Sequence, residues 1–217
     1  MNLTIDSFED FILNKFPSDK INEQPKTEQD LLNLYCEYTD LLYQYVRLVI
    51  KPYLYPLNNE IRAIFGHLAE CKISSTSTTK LDLEKAYGHF RRLNLDLFKL
   101  ICNGFDQTLS KKMKKQYRYD FRNSCSEYLK EYSSRYFEAK KLYINAQEEE
   151  RLGCDSDKHN VILLYYKAAT GYIKLKQYYQ ENKCMVIKTK IKSITVKTIL
   201  GVTGISGILL TIVDLIK

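Results

Sequence analysis

Apolar positions recur at spacings of three and four along most of the chain, the pattern of helices with one buried face. A short amphipathic helix is predicted over 7–13, ended by Pro17 and the polar stretch to Pro25. Thr27 offers an N-cap, with Glu28 and Asp30 in the first turn. Behind it Leu31, Leu34, Tyr35, Tyr38, Leu41, Leu42, Tyr45, Val46 and Val49 keep helical spacing until Pro52 and Pro56 bend or stop the helix. A third helix is predicted over 57–71. The Ser/Thr run 74–79 predicts a loop, with Asp82 capping the next helix. That helix covers 83–105, with continuation through the following basic run left open and Gly104 as a weak point. A Tyr-rich, charged helix follows over 119–151, then a turn at 153–157 and a helix over 157–182. No alternating strand pattern and no solenoid repeat is visible.

The pattern changes at the C-terminal end. Residues 198–213 carry no charge, and the apolar span 194–216 reaches the roughly 20 residues a helix needs to cross a bilayer. Lys197 and Asp214 lie near its ends, where their charges reach an interface. Gly201, Gly204 and Gly207 recur every third residue, and small residues let helices approach closely in lipid. The expectation is an all-α protein: a long-helix bundle with a C-terminal transmembrane or membrane-associated helix. It divides into 1–25 (amphipathic helix and linker), 26–183 (cytosolic bundle) and 184–217 (basic flank and membrane helix). The other reading packs the tail into the protein's own core.

Charge sharpens the address. The net charge is +7, with lysines at 183, 188, 190, 192 and 197 leading into the apolar tail. By the positive-inside bias this places the bulk of the chain in the cytosol, on the inner face of a cytoplasmic membrane. Lysines near anionic lipid add about 1 kcal/mol each. A second cluster, Lys111, Lys112, Lys114, Lys115 and Arg118, reads either as a solvated helix face or as a guide for RNA. The expected partners are membrane lipid, further copies of the chain, and an RNA, nucleotide or protein. With Gly 8, Pro 4 and no Trp, composition also favours long helices. The 18 tyrosines are consistent with AT-rich coding. Six cysteines without CxxC or Cys/His ligand spacing predict no zinc site and no cofactor. The absence of a continuous apolar run at the N-terminus predicts a reducing cytosol with free thiols.

Candidate chemistry lies on the middle helices. His89, Arg92, Asp96, Lys99 and Asn103 share one helical face. They read as a solvated face with pairs such as Arg92–Asp96, or as a seam against another helix that binds phosphate or moves protons. Arg62 and His67 form an R-x4-H pattern, offset by about 140° on a helix, so they converge only with a partner helix or a second copy. The tyrosine pairs at 165–166 and 178–179 read as base-stacking platforms or as core and interface rings. No GxxxxGK[ST], GxGxxG, HExxH or GxSxG motif occurs.

R-x4-H in an all-helical chain resembles HEPN-type proteins, many of which are metal-independent RNases of prokaryotic defence and toxin systems. The resemblance implies Arg62 and His67 as catalytic residues at a dimer interface. Ala63 departs from the polar residue usual there. A divergent bundle of this type with a membrane segment also looks like the membrane accessory proteins of RNA-targeting CRISPR loci. Three functions follow as expectations. One is a membrane-anchored, oligomeric effector or accessory protein, with a pore as one outcome. The others are a HEPN-like ribonuclease and a soluble helical partner-binding protein.

Overall fold

The computed structural model describes residues 4–16, 21, 23–52, 54–73, 76–118, 126–152, 158–188 and 191. Among them the chain is all-helical. The apolar tail 194–216, with Gly201, Gly204 and Gly207, lies outside the described residues, as does the turn at 153–157. Among the described residues no helix is long and apolar enough to cross a membrane.

Helix α1, Ile5–Asn14, starts where the Thr4 hydroxyl accepts the Ser7 N–H. Helix α2 covers 28–50 and begins with a reciprocal capping box between Thr27 and Asp30, which satisfies two amides the helix leaves open. Its periodicity is interrupted by π-turns at Tyr35–Thr39 and Val46–Ile50. The first brings Thr39 into the core, where its hydroxyl donates to Asn94 Oδ1 at 3.0 Å. Asn94 in turn donates to the Phe90 carbonyl at 2.8 Å. At the end of α2, Lys51 turns left-handed at φ 55°, and Pro52 follows.

Helix α3, Tyr55–Ile73, takes Pro56 into its first turn rather than stopping there, where a missing N–H costs no hydrogen bond. Helix α4, Thr76–Arg118, is one continuous rod of 43 residues. It begins inside the stretch expected to be a loop, so Asp82 is an interior, buried residue and not a cap. Thr and Ser are weak helix formers, and tertiary context overrides that preference: the Cys71 thiol donates to the Thr79 carbonyl. Gly104 does not break α4. A Cβ there would meet Ile50 at 2.9 Å, so the glycine lets α2 come close. Helices α5, Ser126–Leu152, and α6, Lys158–Glu181, complete the set.

Two compact units result: 1–107 with 137–173, and 108–136 with 174–217. The first has its core in residues such as Ile12, Leu42, Phe90, Leu97, Ile101 and Tyr172, all fully buried. Glu9 is buried there and accepts the Tyr45 hydroxyl at 3.0 Å. The second is built on tyrosines. Tyr128 stacks on Tyr178 at 5.5 Å, and Tyr132 meets Tyr179 edge-on at 6.3 Å. Of the described cysteines, Cys71 and Cys102 are buried and Cys36 and Cys184 exposed, all as free thiols.

Candidate functional site

The polar stripe of α4 lies in the first unit and faces two neighbours. His89 Nδ1 is 2.7 Å from Glu60 Oε2 on α3, and Arg92 reaches the other Glu60 oxygen at 3.6 Å. Further along, Lys99 contacts Glu150 of α5 and lies 3.6 Å from Asp96. The stripe is therefore a seam, and Arg92–Asp96 is not the pair that forms. Burial raises the Asp96 carboxyl above its ordinary range, with Lys99 pulling the other way. Asn103 lines a cleft with Lys99, Tyr143 and Tyr165.

Beside this seam is a cavity of about 470 Å³, lined by Lys85, His89, Arg91 and Arg92 of α4, Glu149 and Glu150 of α5, and apolar Leu95, Val161 and Ile162. Gly88 also lines it, and a Cβ there would meet nothing within 4 Å. Glu150 is already engaged by Lys99 and by the Tyr165 hydroxyl at 2.8 Å. Arg91 is the unusual member. Its Nε and Nη2 are buried and have no hydrogen-bond partner among the described residues, although its guanidinium stands 5.9 Å from the Tyr87 ring. Buried donors left unpaired are costly and call for an explanation. An anionic ligand supplies one: phosphate and carboxylate oxygens match the guanidinium fork.

Arg62 and His67 are not brought together on one chain. Arg62 is exposed on α3. His67 lies 3.1 Å from Glu70 and stacks on His89 at 5.5 Å. Sequence reading did not connect His67 with His89, nor single out Lys85, Arg91 or Glu149, because no spacing rule links positions on different helices.

The basic cluster divides as well. Lys111, Lys114 and Lys115 are exposed, whereas Lys112 is half-buried with its ammonium 4.2 Å from the Tyr179 ring centroid. Burial lowers the Lys112 pKa, and nearby Lys176 and Lys183 lower it further. The second unit therefore gathers positive charge from α4, from α6 and from the segment entering the apolar tail. The tyrosine pairs are internal in part: Tyr165 is 2% exposed, and Tyr166 stacks on Phe16.

No family model matches this chain, and neither a curated protein nor a solved structure matches it.

Proposed function

We propose that this chain is a membrane-attached helical effector or accessory protein of a prokaryotic defence-type system, whose bundle receives a phosphate-bearing ligand of nucleotide size. Arg91 carries the reading: its Nε and Nη2 are buried without a partner among the described residues, and it lines a cavity of about 470 Å³ together with Lys85, His89 and Arg92. That volume is within the usual range for small-molecule sites, about 300–1,000 Å³. The apolar span 194–216, preceded by lysines, supports attachment to an anionic membrane face. Glycine spacing within it supports assembly of several copies.

Two measurements on the full-length chain test this reading. In vesicle flotation, the intact protein is expected to float with vesicles containing anionic lipid, and a chain truncated after Lys192 to remain unbound. If the truncated chain floats equally well, attachment through the tail is wrong. In thermal melts with a panel of mono-, di- and cyclic nucleotides, at least one is expected to raise the midpoint, and Arg91→Met to abolish that rise. A panel without effect removes the ligand reading.

A further inference from the structure

Where α3 ends and α4 begins, His67, Glu70 and Asp82 converge at the edge of the seam. One ligand atom from each lies within 4.8 Å of those from the other two. His67 and Glu70 are three apart on α3 and lie 3.1 Å apart through Nδ1 and Oε2. Asp82 comes from the second turn of α4 and is 8% exposed. Its present partner is the Lys85 ammonium at 3.2 Å, from a side chain that is itself 47% exposed.

The surroundings hold these groups in place. The His67 ring is stacked on His89, with an interplanar angle of 18°. His89 in turn is fixed by Glu60 through its own Nδ1. Stacking on a ring that is itself held by Glu60 restrains the orientation of the His67 imidazole.

We propose that His67, Glu70 and Asp82 form a site for a divalent cation of the zinc class, with water completing the coordination. One imidazole and two carboxylates are a donor set that borderline metals accept, and three protein ligands with an open position suit Zn²⁺. His67 Nδ1 and Glu70 Oε2, 3.1 Å apart, already have the separation that two metal bonds of about 2.0–2.2 Å require, and small side-chain rotations bring Asp82 into the same set. Lys85 competes with the cation for Asp82, which makes the proposal specific: truncating Lys85 strengthens binding. The site uses residues on different helices, which is why ligand-spacing rules do not reveal it. None of the three ligands lines the cavity, and the site shares with it only Lys85, the partner of Asp82, and His89, the ring beneath His67.

The test uses full-length protein in detergent, without a histidine tag and stripped by a chelator. It is titrated with Zn²⁺ by calorimetry and with Co²⁺ by visible absorption. One equivalent is expected to bind, with affinity reduced at least about tenfold in His67→Gln and Glu70→Gln and increased in Lys85→Met. Asp82→Asn is expected to behave like His67→Gln. Because Asp82 is buried and its variant risks misfolding, the decision rests on Glu70→Gln and His67→Gln, with helical circular dichroism confirming that they fold. No saturable binding, weak binding at many sites, or unchanged affinity in both of these variants overturns the proposal.

Discussion

Lys51 adopts φ 55° and ψ 50° at the end of α2, a left-handed conformation that crowds any Cβ. Glycine is free of that crowding but gives up more chain entropy on folding. Lys51→Gly is therefore expected to stabilise the protein by about 0.5–1 kcal/mol, read as a higher urea midpoint at unchanged slope, while Lys51→Ala gains nothing. Asp96 makes a different kind of residue-level statement. Its carboxyl titrates above the usual range because burial outweighs Lys99. The folded chain thus holds this proton more tightly than the unfolded one. The contribution of Asp96 to stability falls as pH rises from about 3.9, the unfolded value, through the folded value. Asp96→Asn is expected to melt at or above the wild-type temperature at pH 7, with the two melting curves converging below about pH 4. A variant that melts lower at pH 7 and equally low at pH 4 would show that packing, not charge, governs this position.

Helix boundaries were legible at α2 but not at α4, where the expected cap Asp82 is an interior residue. Thr27 with Asp30 marks the start of α2, and Pro52 marks its end. The π-turns were not legible, and the first of them answers to Asn94 on another helix, 55 positions from Thr39. The same holds at Gly104. From sequence it reads as an interruption, whereas in the fold it is the point where Ile50 of α2 reaches α4. Gly104→Leu is expected to cost about 1–3 kcal/mol through overpacking, despite leucine's better helix propensity. Equilibrium denaturation checks the sign, since a gain in stability would mean the helices separate easily at this point. Similarly, the stripe from His89 to Asn103 was readable as one face, but its division between Glu60 and Glu150 depends on which helices lie opposite. Arg91 left no sequence signal at all, because the unpaired state of its Nε and Nη2 is a property of its surroundings.

At the scale of the molecule, positive charge from Lys112, Lys176 and Lys183 accumulates in the second unit. Attraction of such charges to anionic lipid is screened beyond about 10 Å at 0.1 M salt. Vesicle binding by the full chain is therefore expected to weaken with added salt, but not to vanish while the apolar tail remains. Complete release at high salt would mean that charge alone holds the protein to lipid. The order of the helices also has a consequence for dissection of the protein. Neither compact unit is a single run of chain: 1–107 joins 137–173, and 108–136 joins 174–217. Helices α4, α5 and α6 each pass from one unit into the other without ending. No single cut between residues 108 and 173 can release either unit whole. Expression of fragments on either side of such a cut splits both cores, so each unit is to be tested by point substitution in the intact chain.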